Sequence, residues 1–161
     1  MSDSSLTSTV VRTSQGVSDL TRQEQPAAAI TLTRTASLSV ASTGTTITWQ
    51  SQTRGQGITW ATTTVTIPTA GYYALEVSLN YAASVTGFAS ITVNGTLIGN
   101  FLYYSTATTR WAGAYLRYFA TGDTFTISVT PSSNTTLNQV AEGSLQESPI
   151  LHVVQLTSVV T

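Results

Sequence analysis

The 161-residue chain contains no cysteine and no lysine, and it has a single histidine, His152. Without cysteine there is no disulfide framework, no iron–sulfur site, no thiol nucleophile and no cysteine-ligated zinc. One histidine excludes a metal site that needs two, and any general acid–base scheme would depend on that side chain alone. Charge of either sign is scarce: charged residues are 8% of the chain, against roughly a quarter in an ordinary soluble domain. The six cations are Arg12, Arg22, Arg34, Arg54, Arg110 and Arg117, scattered through a chain of net charge −1. That is a poor electrostatic footprint for nucleic acid. No apolar run approaches the roughly 20 residues of a membrane span. The opening Met1-Ser2-Asp3-Ser4-Ser5 lacks the basic region and apolar run of a secretory signal. The expectation is a protein made in the cytoplasm, with no membrane or nucleic-acid partner.

Hydroxyl residues stand where charges are missing, with 20 serines and 32 threonines. Threonine is stiff at its first side-chain torsion, favours extended backbone and offers water a hydroxyl. Three tryptophans, seven tyrosines and four phenylalanines argue against disorder.

The chain divides near residue 30. Met1–Ala29 is polar, with Leu6, Val10, Thr13, Val17 and Leu20 at a broken heptad spacing interrupted by Gly16. Two heptads are too few for a coiled coil. The segment reads as an extended arm for attachment, contacting a partner through Leu6, Val10, Val11, Val17, Leu20 and Pro26, with a short trimeric stalk as the rival reading. From Ile30 to Thr161 the pattern alternates. Tyr73, Leu75, Val77, Leu79 and Tyr81 share one face of a strand over Tyr72–Tyr81, with Glu76 on the other face. Ala89, Ile91 and Val93 form a second strand that ends at Asn94-Gly95, a hairpin signal. Phe125, Ile127 and Val129 form a third, opened by Gly122-Asp123 and closed by Pro131. The last strand, Ile150–Val160, carries apolar groups on both faces, so its second face needs a cover, for which another subunit is the economical choice. No helix is expected. The fold class is all-β, an antiparallel sandwich or jelly roll.

Ile67-Pro68, then Gly71-Tyr72-Tyr73 and an alternating strand, resembles the opening of the third strand in tumour-necrosis-factor-like and complement-q-like jelly rolls. Ile91-Thr92-Val93-Asn94-Gly95, Gly122-Asp123 with its following strand, and the apolar terminal strand are similar in the same order. The resemblance implies a homotrimer with the terminal strand near the threefold axis. Tyr72, Glu76, His152, Val154 and Leu156 are the expected trimer interface. Among jelly rolls of this kind, the chain looks most similar to small virion proteins of tailed bacteriophages. It is therefore read as a trimeric capsid decoration (cement) protein on the capsid surface, whose partners are itself and the major capsid protein. The alternative is the receptor- or glycan-binding head of a tail fibre or spike, with Tyr103, Tyr104 and Trp111 contacting a host-surface glycan. No catalytic role, metal or cofactor is expected: the seven acidic residues nominate no catalytic pair, and His152 lies in an apolar strand.

Overall fold

The computed structural model describes residues 28–139 and 149–156. These residues form strands and no helix: β1 (Ala29–Thr33), β2 (Leu38–Val40), β3 (Thr45–Thr46), β4 (Ser51–Gln56), β5 (Thr59–Ala61), β6 (Thr64–Thr66), β7 (Gly71–Val93), β8 (Thr96–Phe119), β9 (Thr124–Pro131), β10 (Thr135–Leu137) and β11 (Ile150–Leu156).

Two strands organise the rest. β7 runs for 23 residues and β8 for 24, and they pair antiparallel along their lengths about Asn94-Gly95. Both turn residues have positive φ, 49° and 78°, the geometry that makes Asn-Gly a hairpin signal. A twisted hairpin this long cannot stay flat, and it folds double. Its ladder is interrupted between Asn80 and Val85 and again before Gly87. Gly71 pairs with Phe119, while Val93 pairs with Phe125 across a short turn. Asn94 Nδ2 donates to Asp123 Oδ1 at 2.7 Å, and the Ala120 amide donates to Asp123 Oδ2 at 2.8 Å. These bonds, the Asn94 one first, hold the Asp123 carboxyl below its usual pKa. Both ends of β7 therefore lie at one end of the molecule and its bend at the other. The sequence reading of separate strands over Tyr72–Tyr81 and through Ala89, Ile91 and Val93 is right about faces and wrong about the break. Residues 82–86 contain neither proline nor glycine, and the backbone stays extended through them.

The fold-over creates two layers. The first half of β7 lies between β11 and the second half of β8. The second half lies between β9 and the first half of β8. β1 pairs with β4 and also adjoins β11, where the Gln155 amide donates to the Ala28 carbonyl at 2.7 Å. β9 carries β3 and β6, β6 carries β5, and β10 joins β2 to β7 near the bend. Tyr73, Leu75, Val77 and Leu79 face Ile91, Val93, Phe125, Ile127 and Val129 in a continuous core with Ile30, Leu32, Leu151 and Val153. β9 shows how the chain manages without charge. Its inward residues are buried, and its outward positions are Thr124, Thr126, Ser128 and Thr130, with Ser128 Oγ 2.9 Å from Thr46 Oγ1.

Ala28 is buried and β1 begins at Ala29, so the folded domain takes in two residues that the sequence reading assigned to the arm. Their backbone extends the edge: Ala29 pairs with Gln56, and the Ala28 carbonyl accepts from the Gln155 amide. The expected arm contacts, Leu6, Val10, Val11, Val17, Leu20 and Pro26, lie outside the described residues, as do positions 157–160 of the expected last strand. Arg34, the one buried cation among the described residues, is held by carbonyl and hydroxyl oxygens rather than by a carboxylate: Nε donates to the Ala36 carbonyl at 3.0 Å, and Nη1 donates to the carbonyl and hydroxyl of Thr48.

Tyr81 sits at the bend, edge-on to Trp111 with ring centroids 4.6 Å apart. Its hydroxyl is buried without a hydrogen-bond partner among the described residues, and burial pushes the phenol far above its ordinary pKa. Tyr81→Phe is therefore expected to stabilise the fold by about 1 kcal/mol, read as a higher denaturant midpoint at unchanged slope. The sign with pH follows from the raised native pKa. Wild-type stability is complete below the ordinary phenol value of about 10 and falls as pH climbs above it, so the gain of the variant should widen there. A less stable variant would mean that the hydroxyl has a partner.

Candidate functional site

The pairing register lays the outward residues of one layer in three rows. Leu156, Tyr72 and Tyr118 form the first, Val154, Ala74 and Leu116 the second, and His152, Glu76 and Ala114 the third. Tyr72, Leu116, Tyr118, Val154 and Leu156 are between 41% and 59% exposed, and they are five of the eight large hydrophobic residues left exposed in the described part of the chain. Single exposed apolar residues are normal on a protein surface. Gathering most of them on one sheet face is not, and such a patch marks a contact surface. The Tyr72 and Tyr118 rings pack edge to face at 5.5 Å, which fixes their orientation without covering them.

The third row is polar. His152 Nδ1 lies 2.9 Å from Thr31 Oγ1 on β1, and His152 is the cross-strand partner of Glu76. Two hollows flank this pair and share it. One is lined by Thr31, Thr53 and Arg54, the other by Arg110, Ala112 and Ala114. The face thus has an apolar end and a carboxylate set between two arginine-lined hollows.

All five residues expected at a subunit contact, Tyr72, Glu76, His152, Val154 and Leu156, stand on this one face. The sequence reading missed Leu116 and Tyr118 as members. The signal was parity: Trp111 and Phe119 point inward, so the even-numbered positions between them point out.

The aromatic set offered for ligand contact divides. Tyr103 is 74% exposed. Tyr104 is partly buried, its hydroxyl donating to the Ala112 carbonyl at 2.9 Å and accepting from the Ala112 amide at 2.8 Å. Trp111 is a correction: it is fully buried, stacked under Tyr104 at 5.4 Å and edge-on to Tyr81, so it fills the core at the bend and cannot reach a ligand. The loop Ser132–Glu147, expected to join these aromatics in ligand contact, is described only as far as Gln139, and 140–147 lie outside the described residues.

No protein-family model and no curated protein matches this chain. Solved structures do. The chain is similar to murine APRIL, with a TM-score of 0.57 and 19% identity over 81% of this chain and 99% of that one. It is also similar to Eiger TNF from S. frugiperda, with a TM-score of 0.60 and 16% identity over 83% of this chain and 94% of that one. Likeness at these identities establishes architecture: the chain has a tumour-necrosis-factor-like, all-β jelly-roll fold.

Proposed function

We propose that this protein is a structural component of a virus particle, a homotrimeric decoration (cement) protein on the outer surface of a bacteriophage capsid. The observation that carries the reading is the apolar sheet face of Tyr72, Leu116, Tyr118, Val154 and Leu156. An exposed apolar sheet face suits contact with another copy, and copies that meet head to tail through two different surfaces close into a ring when the rotation allows it. The composition supports the same reading. β-sandwich proteins protect their edges with lysine and other charge, and a near-neutral, lysine-free chain has little of either. Such a chain suits a permanent place in an assembly.

In this reading the segment before Ala28 ties the trimer to the major capsid protein. Three arms on one trimer act together, so each can bind weakly while the whole dissociates slowly. Binding to the assembled shell and not to free subunits stabilises the shell by mass action. Deleting residues 1–27 is expected to leave a folded trimer that no longer sediments with capsids lacking their decoration protein. Wild-type occupancy by the truncated protein would defeat the attachment mechanism. The alternative, a receptor- or glycan-binding fibre head, is favoured by one feature, the exposed Tyr103.

A further inference from the structure

At the bend of β7, opposite the Asn94-Gly95 turn, an open hollow of about 410 Å³ lies between β7, β8, β9 and the turn after β2. We infer that this hollow is a binding site for a neutral saccharide. The inference does not rest on the capsid role proposed above, because the hollow belongs to the layer that lacks the apolar face; it deepens the alternative reading of a glycan contact at Tyr103 by naming the site and the class of sugar.

Its floor and wall carry two rings. Tyr103 is the most exposed large hydrophobic residue of the described chain, and its cross-strand partner is Phe88. Directly opposed residues on one face of a ladder stand side by side. An aromatic surface open to solvent, with a polar handle on Tyr103, fits the C–H face of a sugar ring. Around the rings stand the hydroxyls of Ser42, Thr86, Ser105 and Ser132. A hydroxyl both donates and accepts, which matches the hydroxyls of a sugar in either direction. Among the described residues, no carboxylate, guanidinium or imidazole lines the hollow. A charged ligand would lose hydration there without gaining a counter-charge, so the chemistry selects a neutral one.

The site is also set in advance. The Ser132 amide donates to the Thr86 carbonyl at 2.8 Å, and the Thr86 amide donates to Ser132 Oγ at 3.3 Å. The Ser42 amide donates to Asn134 Oδ1 at 2.8 Å. Gly87 lets β7 and β9 approach so closely that a Cβ there would lie 2.2 Å from the Thr130 carbonyl oxygen. A hollow held by backbone in this way needs little ordering on binding.

Native electrophoresis of the full chain through gels cast with neutral polysaccharides (dextran, mannan, galactan, starch) tests the inference, with alginate and heparin as acidic counterparts. Retardation by at least one neutral polymer and by neither acidic one is expected. Tyr103→Ala should weaken that retardation about tenfold, Tyr103→Phe should keep it, and Leu97→Ala, at the far end of the molecule, should not change it. Absence of retardation by all four neutral polymers would overturn the inference, as would equal retardation of wild type and Tyr103→Ala. Light scattering on the Tyr103→Ala protein separates a further outcome: a change in subunit number would make Tyr103 a subunit contact and would also overturn the site.

Discussion

Replacing Leu116 with aspartate is expected to give a folded chain that runs as a monomer at concentrations where the proposed wild-type trimer is intact. Leu116 ends the middle row of the apolar face, between the Tyr118 and Ala114 ends of its neighbouring rows. Its side chain is already largely in water in the single subunit, so the fold itself should change by no more than about 0.5 kcal/mol. In an apolar contact the same aspartate would be a buried charge without a partner, which costs on the order of 3–5 kcal/mol per contact. A loss of about a thousandfold or more in association follows. Light scattering through a dilution series reads the mass, and far-ultraviolet circular dichroism confirms the fold. Leu97→Asp is the control: Leu97 is 63% exposed but sits beside the hairpin turn, off the face, and its trimer should survive. A Leu116→Asp protein that keeps the wild-type mass would mean that this face is not where copies meet.

The contrast between these two leucines indicates what the sequence could and could not carry. Alternation fixes the parity of a strand, and parity put Tyr73, Leu75, Val77 and Leu79 in the core and Tyr72 and Glu76 outside it. The terminal strand was legible for the same reason, since apolar residues at both parities require two covered faces, and Leu151 and Val153 face the core while Val154 and Leu156 do not. Register is a different kind of information. That His152 lies opposite Glu76, and that Leu116 completes a row begun by Val154, depends on which residues of distant strands pair. No single strand encodes that. β8 was least legible. Its outward positions hold Thr, Ala and Ser among the aromatics and glycines stand opposite the core residues Ile91 and Val77, so alternation is weak, and Trp111 could be assigned inward only with its neighbours Tyr81 and Tyr104 in place. The continuity of β7 was hidden because Ala82, Ala83 and Ser84 are small and exposed. They read as a loop, although they are a strand passing over the end of the sandwich.

That passage depends on Gly87, and Gly87→Ala is expected to be among the most damaging single-methyl changes available in the chain. Gly87 has φ +142°, a region closed to side chains with a Cβ, and forcing alanine into it costs about 1–3 kcal/mol. The added methyl would also lie 2.2 Å from the Thr130 carbonyl oxygen, 2.9 Å from Pro131 Cα and 2.8 Å from Trp111 Cη2. Two of these are β9 backbone and the third is the most deeply packed ring at the bend, so none can swing aside. β7 would have to part from β9 where it changes layers, and Trp111 would be driven toward Tyr81. A total loss of at least about 3 kcal/mol is expected, a large share of the roughly 5–15 kcal/mol that holds a domain together. Two other glycines calibrate the result. At Gly113 a Cβ meets Leu102 Cδ2 at 2.1 Å, but that is the end of a side chain that can rotate, so alanine should cost about 1 kcal/mol. At Gly95 nothing lies within 4 Å and only φ +78° opposes alanine, again about 1 kcal/mol. Denaturant midpoints should therefore fall slightly for Gly95→Ala and Gly113→Ala and far for Gly87→Ala. A Gly87→Ala protein that unfolds at the wild-type midpoint would mean that β7 and β9 are not in contact there, and the doubling of the hairpin that creates both layers would have to be redrawn.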